Sequence, residues 1–208
     1  MRKRLSRICS LIDRTQSFID IGCDHGMVVK YVLDNNLSER VVACDVSSGS
    51  LDKARKLIGS DERVEFVCAD GALVNHGCDT VLISGLGGIE MLSIIANCNP
   101  SAYILSPQSH TYDVRKHLLS RDYDIVYDEV LKDGKFYDVI KATLGGGLLR
   151  LKEVNEIKLQ YGIYADRYNP ALKEKAEKLL TLLAGYPKNS ENERKTDELK
   201  EVLKWQSR

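Results

Sequence analysis

Near its N-terminus the chain carries the nine residues Phe18-Ile19-Asp20-Ile21-Gly22-Cys23-Asp24-His25-Gly26. Four residues of mostly apolar, β-preferring character lead into a loop with two glycines, and an amphipathic segment begins at Met27. This order predicts a strand, a tight turn and a helix. Such a unit opens the parallel sheet of nucleotide-binding α/β proteins, so we expect the rest of the chain to build on it.

Asp24 lies where a dinucleotide-binding protein needs glycine, because bare backbone must approach the pyrophosphate there. A carboxylate at this position would repel a phosphate dianion. The loop therefore favours a ligand without phosphate. S-adenosylmethionine (SAM) meets this condition, since it carries an adenosine, a sulfonium cation and an amino-acid tail. The cofactor contacts predicted in this loop are Asp20, Gly22, Cys23, Asp24, His25 and Gly26.

The next three predicted strands end in residues suited to the same ligand. Asp45 ends strand 40–45, about twenty residues beyond the glycine loop, where this architecture hydrogen-bonds a ribose; the alternative is a helix cap. Asp70 ends segment 64–71 and can accept a hydrogen bond from the adenine amine. The glycines of segment 78–88 indicate a ligand close to the main chain, or a plain turn. These segments add the predicted cofactor contacts Val46, Gly71, Gly85, Gly87 and Gly88.

Two further segments are predicted to contact a substrate. Residues 101–110 form a fifth strand and a polar loop, in which Pro107 stiffens the turn and leaves Gln108 and His110 at the edge that holds the glycines. Residues 2–12 form a basic amphipathic helix, whose charged face either is solvated or contacts phosphate. The predicted phosphate contacts on this helix are Arg2, Lys3, Arg4 and Arg7.

The end of the sheet and the C-terminal region have separate signals. Residues 123–131 and 135–144 are β-rich runs joined by Lys132-Asp133-Gly134, which predicts a hairpin. Five parallel strands with an antiparallel edge hairpin is the Rossmann-like plan of class I SAM-dependent methyltransferases, whereas a dehydrogenase sheet normally closes with a sixth parallel strand.

The run 145–147 predicts a boundary between a methyltransferase domain, 1–147, and a helical arm, 148–208. The arm should be a helical hairpin or coiled coil that leans on the sheet.

Composition narrows the class of protein. The chain has 208 residues, 43% of them hydrophobic, and a formal net charge of zero, which argues against a globally basic nucleic-acid binder. The six cysteines have no metal-binding spacing, so we expect reduced thiols and no metal. There is no signal-peptide h-region and no long apolar run. We therefore expect a cytoplasmic protein without a membrane segment. We also expect the protein to be a monomer.

The loop motifs together closely resemble those of the TrmK-type bacterial tRNA (adenine(22)-N(1))-methyltransferases. The residues that carry the resemblance are 20–25, 83–88, 105–110 and Asp133-Gly134-Lys135-Phe136-Tyr137, within a similarity over residues 4–145. It implies methylation of N1 of an adenine in the D-arm region of tRNA, with the arm helping to hold the RNA. Two features depart from the family: Ser106-Pro107-Gln108 stands where the family has Gln-Pro-Asn, and the arm is shorter.

The resemblance suggests a mechanism without an obligatory base. N1 of neutral adenine has a lone pair and no proton to lose, so catalysis depends on alignment and electrostatics. Asp24 is the predicted catalytic residue, favouring the positive charge of the product or accepting from the adenine N6 amine. The target base would leave its stack and be held by Tyr112, Tyr137 or His110. Two alternatives stay open: a SAM methyltransferase for a small molecule or protein, and a non-catalytic SAM- or RNA-binding adaptor.

Overall fold

The computed structural model describes residues 2–74, 77–145 and 151–207. The strands are β1 (Thr15–Ile21), β2 (Ser38–Asp45), β3 (Val64–Cys68), β4 (Thr80–Ser84), β5 (Ala102–Ser106), β6 (Tyr123–Asp133) and β7 (Lys135–Leu144). The helices are α1 (Lys3–Ser10), α2 (Met27–Asp34), α3 (Ser48–Ile58), α4 (Gly88–Ile95), α5 (Thr111–Ser120), α6 (Glu156–Tyr161), α7 (Pro170–Ala184) and α8 (Ser190–Trp205). Short 3₁₀ turns lie at Gly71–Leu73 and Leu151–Glu153.

The strands form one mixed sheet in the order β3-β2-β1-β4-β5-β7-β6. Strands β1 to β5 are parallel, and β7 runs antiparallel to both β5 and β6. The predicted parallel sheet with an antiparallel hairpin is therefore confirmed. Because β7 is reversed, its first residues lie at the edge where the parallel strands end. The strand order changes direction between β1 and β4, which is where sheets of this kind bind ligands.

Helices cover both faces of the sheet, and β1 is buried between them. Successive side chains of a strand point to opposite faces, so Phe18 and Ile19 enter two different cores. Phe18 packs with Ile8 of α1, with α2 and with α3. Ile19 packs in the core formed with α4, α5 and the segment around Leu159. This sandwich explains the near-continuous apolar character of the parallel strands.

The C-terminal helices α7 and α8 form the predicted helical hairpin. Asn169 and Asn189 cap their N-termini, each accepting a hydrogen bond from a backbone N–H three residues later, at 2.9 and 2.8 Å. The hairpin packs against Val130 of β6, so it shares a core with the sheet domain. The predicted division at residues 147 and 148 lies outside the described residues.

A buried arginine joins α5 to the edge hairpin and the C-terminal region. Arg115 donates to both carboxylate oxygens of Asp128, at 2.7 and 2.9 Å, and to Asp138 at 2.9 Å. It also donates to the carbonyls of Leu159 and Gln160. The second oxygen of the Asp138 carboxylate accepts from Lys175 of α7 at 3.0 Å. Burial raises the pKa of Asp138, but Lys175 and Arg115 outweigh that effect and the pKa is lowered.

The cysteines are free thiols, as predicted. Burial raises the pKa of Cys9 to about 11, and raises the pKa of Cys23 further, so neither is a reactive thiolate at neutral pH. Within the described ranges, no group of three or more His, Cys, Asp or Glu is arranged to hold a metal ion. In the same ranges, no helix has the length and apolar character needed to cross a bilayer.

Candidate functional site

The loop after β1 turns sharply and is hydrogen-bonded to the end of β2. Gly22, Asp24 and Gly26 have φ values of +76°, +47° and +73°, in the left-handed region that glycine adopts freely and aspartate tolerates. The N–H groups of Gly22 and Cys23 donate to the carbonyl of Cys44 at 2.8 and 3.0 Å. These bonds hold the Asp24 side chain at the carboxyl edge of the sheet, where it is 69% exposed.

Asp45 connects this loop to the next one. One of its carboxylate oxygens accepts from the backbone N–H of Asp24 at 3.0 Å, and the other accepts from the N–H of Ser47 at 2.9 Å. The N-cap of α3 is Ser47, whose hydroxyl accepts from Ser50 N–H, so Asp45 is not the helix cap. Each carboxylate oxygen has a second lone pair, which leaves acceptor capacity for a ligand hydroxyl.

A cavity of about 680 Å³ lies beside these loops, at the point where the strand order changes direction. One group of its lining residues is acidic and is called here the acidic wall: Asp20, Asp24, Asp45, Asp70 and Glu90. Two arginines at the start of α1, Arg2 and Arg4, also line it and are called here the basic edge. The cavity has the size of a small-molecule site, and both acidic and basic side chains line it.

Asp20 is the most perturbed carboxyl group of the acidic wall. Burial raises its pKa to about 7, and the neighbouring carboxylates of Asp45 and Asp24 contribute to the rise. Three carboxyl groups that destabilise one another in this way would be stabilised together by a bound cation. The acidic wall therefore favours a positively charged ligand.

Three of the predicted glycines serve close packing of the chain. A Cβ on Gly71 would lie 2.3 Å from Cγ2 of Ile21, and a Cβ on Gly88 would lie 2.2 Å from the carbonyl oxygen of Ser109. A Cβ on Gly26 would lie 2.8 Å from that of Ala54. Glycine at these positions allows strands, loops and helices to approach closely, whether or not a ligand is bound.

The loop after β5 packs against the glycine-rich loop after β4. The side-chain amide of Gln108 donates to the carbonyl of Gly85, and its backbone N–H donates to Leu86 at 2.9 Å. His110 has a φ of +52°, and its Nδ1 lies 3.1 Å from the Ser109 hydroxyl. His110 lines a separate cleft of about 340 Å³ with Tyr112, Asp138 and Lys175. Tyr112 donates to Glu156 at 2.7 Å.

Helix α1 is fixed to the tip of the β6–β7 hairpin beside the cavity. The backbone N–H of Arg4 donates to Asp133 at 3.1 Å, and its guanidinium lies 4.6 Å from the ring centre of Tyr137. The ammonium of Lys135 lies 5.2 Å from the same ring. One turn further along the helix, Arg7 pairs with Glu129 at 3.5 Å.

The cavity brings together many, but not all, of the predicted site residues. Those in its lining are Asp20, Gly22, Cys23, Asp24, His25, Asp45, Val46, Asp70, Gly71, Gly85, Arg2 and Arg4. Those outside the lining are Gly26, Gly87, Gly88, Gln108, His110, Tyr137, Lys3 and Arg7. Lining residues that the sequence analysis did not single out include Leu5, Met27, Ser84, Leu86 and Glu90. Ser84 and Leu86 directly flank Gly85, so their position next to a predicted cofactor contact could have identified them from the sequence.

The fold and the site define a class of protein. A parallel sheet with a reversed β7 before the edge strand, and a charged cavity at its carboxyl edge, is the architecture of class I methyltransferases. The chain belongs to the methyltransferase-domain family, whose sequence profile matches residues 1–140.

Individual relatives are similar over most of the chain. A Mycoplasma pneumoniae protein with the provisional name tRNA methyltransferase is 29% identical over 151 residues, which are 69% of this chain and 71% of that protein. The tRNA (adenine(22)-N(1))-methyltransferase of Bacillus subtilis is 25% identical over 156 residues, 70% of this chain and 66% of the relative. The solved structure of M. capricolum TrmK with S-adenosylhomocysteine superposes with a TM-score of 0.84 at 21% identity, covering 99% of this chain and 98% of that one.

Proposed function

We propose that this protein transfers a methyl group from SAM to N1 of an adenine in tRNA, at position 22. The observation that carries the proposal is the charge composition of one cavity, whose lining includes both the acidic wall and the basic edge. The acidic wall suits a cationic methyl donor, and the basic edge suits the polyanionic backbone of an RNA substrate. The names of the Mycoplasma and Bacillus relatives, and the bound cofactor product of the superposed structure, support the same assignment.

The residues present fit the chemical groups of SAM. Asp45 has free acceptor capacity for the two ribose hydroxyls, and it is positioned by its bonds to Asp24 and Ser47. Asp70 bonds the N–H of Ala72 through one oxygen, which leaves acceptor sites for the adenine amine. Asp20, whose pKa is raised to about 7, gains most from a nearby ammonium or sulfonium cation. Val46 and Leu86 supply apolar surface in the lining for the faces of the adenine ring.

The chain's own residues need only align the reactants and stabilise charge. When bound, SAM supplies a methyl carbon that the lone pair of the adenine N1 can attack. No proton leaves N1, so no side chain has to act as a base. The product carries a positive charge on the base, and we assign the role of favouring that charge to the exposed carboxylate of Asp24; its position in the cavity lining supports this assignment. His25, with Nδ1 2.7 Å from the Asp24 carboxylate, helps to hold that side chain.

The proposal is tested by incubating the protein with methyl-labelled SAM and unmodified tRNA, followed by mapping of the labelled nucleotide. We expect label at N1 of the adenine at position 22, and none in a transcript with guanine there. Label on a protein or a small molecule, and none on tRNA, would show that the substrate is not tRNA. Binding of SAM and tRNA without transfer of label would favour a non-catalytic adaptor.

Substitution of Asp24→Asn tests the catalytic assignment. Asparagine tolerates the left-handed backbone of this position, so the loop and the bond from residue 24 N–H to Asp45 should persist. We expect turnover to fall by roughly tenfold or more, because the charge that favours the cationic product is lost. Single-turnover kinetics measures the change, and calorimetry checks that SAM still binds. Full turnover in a variant that binds SAM would remove Asp24 from the mechanism.

A further inference from the structure

Three side chains, one of them in the cavity lining, form a cluster that the sequence analysis did not bring together. Arg4 lines the cavity, and its guanidinium lies 4.6 Å from the ring centre of Tyr137. Lys135, at the start of β7, lies 5.2 Å from the same ring. We call Arg4, Tyr137 and Lys135 the cation–tyrosine cluster. It joins α1 to the edge hairpin at the carboxyl edge of the sheet.

Cations near this cluster differ in whether an acid neutralises them. On the same helix and hairpin, Arg7 pairs with Glu129, Lys132 with Glu174, and Lys141 with Asp13, at 3.5, 2.7 and 2.5 Å. Across residues 2–74, 77–145 and 151–207, no carboxylate pairs with the guanidinium of Arg4 or the ammonium of Lys135. Positive charge is thus available at Arg4, in the cavity lining, and at the neighbouring Lys135.

The geometry of Arg4 suits the binding of a phosphate. An aromatic ring attracts the guanidinium through its π face and restricts its motion before a ligand arrives. The planar group keeps its N–H donors at its edge, where they can form two parallel bonds to phosphate oxygens. The backbone bond from Arg4 N–H to Asp133, at 3.1 Å, holds the start of α1 in place as well.

The C-terminal arm is a competing surface for RNA, but its charges largely balance. Along α8, each cation lies three or four residues from an acid with which it pairs: Arg194–Glu198, Lys195–Glu191, Lys200–Asp197 and Lys204–Glu201. Paired surface charges attract a polyanion weakly, since each cation already has a neighbouring carboxylate.

We infer that the cation–tyrosine cluster binds the RNA backbone beside the target adenine, with Arg4 and Lys135 on phosphate and Tyr137 holding Arg4 in place. This inference rests on the proposed function. It assigns the main phosphate contact to the edge of the cavity, next to the base to be methylated, where it would orient the target nucleotide.

The experiment compares Arg4→Gln, Lys135→Gln, Tyr137→Leu and Tyr137→Phe in the full chain. The matched control is Arg55→Gln, because Arg55 also lies over an aromatic ring, Phe66 at 4.9 Å, but does not line the cavity. For each protein, calorimetry gives the SAM affinity, and tRNA binding is measured over a range of salt concentrations. Steady-state methylation gives kcat and the KM for tRNA.

For Arg4→Gln we expect a roughly tenfold rise in KM for tRNA and a salt slope reduced by about 0.7 to 1. Lys135→Gln, at an exposed position, should reduce the slope in the same way, and Tyr137→Leu should resemble Arg4→Gln. Tyr137→Phe keeps the aromatic face that contacts Arg4, so its KM for tRNA should rise less than that of Tyr137→Leu. Arg55→Gln should behave as the wild type. SAM affinity should be unchanged in all five.

Unchanged tRNA affinity and salt slope in both Arg4→Gln and Lys135→Gln would overturn the inference. An equal loss of SAM affinity would also overturn it, because the cluster would then serve the cofactor. Neither result would affect the proposed function, which is tested by methylation of tRNA by the wild-type protein. If the wild type does not methylate tRNA, the proposed function itself fails.

Discussion

At the scale of single residues, the site contains buried carboxyl groups whose ionised form is unfavourable in the absence of a ligand. Asp20 is almost fully buried close to Asp45 and Asp24, with the thiols of Cys9 and Cys23 nearby. Burial and like charge both disfavour its ionised form. The arrangement costs stability in the free protein, and binding of a cation would recover part of that cost.

This cost predicts a specific pH dependence for Asp20→Asn. The pKa of Asp20 is about 7 in the folded protein against an ordinary value of 3.8, so between these values the folded state holds an extra proton. The free energy of unfolding therefore falls as pH rises from about 4 to about 7, by up to roughly 4 kcal/mol. Asparagine removes this loss. We expect the melting temperature of the variant, relative to wild type, to be higher at pH 8 than at pH 5.

Thermal unfolding of both proteins without cofactor, at several pH values, measures this difference. Calorimetry at pH 8 should show weaker SAM binding by the variant, because the charge is gone. Parallel stability profiles for the two proteins between pH 5 and pH 8 would contradict the assignment.

At the scale of elements, the loops after β4 and β5 act as one unit. The N–H of Gly88, at the start of α4, donates to the Ser109 hydroxyl at 3.2 Å, and Gln108 donates to the carbonyl of Gly85. The glycine-rich loop is thus held from the side of β5, while its other side faces the cavity. The glycines of this run can therefore have different roles, since some can contact a ligand and others allow close packing of the chain.

Gly88→Ala and Gly87→Ala separate these two roles. A Cβ at position 88 would lie 2.2 Å from the Ser109 carbonyl oxygen, whereas one at position 87 has Ser109 Oγ as its nearest neighbour, at 3.7 Å. We expect Gly88→Ala to lower the free energy of unfolding by about 1–3 kcal/mol, and Gly87→Ala to change it little. Urea unfolding measures both. Equal stability of the two variants would show that the loops separate easily.

At the scale of the whole molecule, Arg115 connects elements that are far apart in sequence. Its guanidinium is fully buried and donates hydrogen bonds to β6, β7 and α6. Asp138 in turn accepts a hydrogen bond from Lys175 of α7. A buried charge of this kind is tolerated only when all of its partners are present. The C-terminal arm is therefore part of the sheet domain's electrostatics as well as of its apolar packing.

Replacement of Arg115→Met should cost about 3–5 kcal/mol, because two carboxylates, Asp128 and Asp138, would remain buried without their shared cation. The control is Lys195→Gln, which breaks an exposed helical pair with Glu191 and should cost less than about 1 kcal/mol. Chemical denaturation monitored by the fluorescence of Trp205 and by circular dichroism follows both. A loss of less than about 1 kcal/mol in Arg115→Met would indicate that the network is easily replaced by apolar packing.

Local patterns predicted most of the elements and part of the site. The apolar run at Phe18 and the glycines after it specify a strand and a turn by themselves, since strand periodicity and left-handed backbone are properties of neighbouring residues. The hairpin 123–144 was found by the same reasoning, with a turn signal between two β-rich runs. Boundaries moved by a few residues: the helix predicted at 2–12 spans Lys3–Ser10, and the segment 64–71 is a strand only to Cys68.

The tertiary structure alone settled how these elements meet. It placed β7 between β5 and β6, brought Asp45 onto the backbone of Asp24, and enclosed Arg115 between two carboxylates. In the folded chain, His110 lines a separate cleft, and the guanidinium of Arg4 lies over the ring of Tyr137. None of these relations has a local signal, because each depends on the distance between residues that the chain separates. Strands, turns and the candidate acids follow from neighbouring residues, while burial, pKa and charge pairing depend on which distant residues the fold brings together.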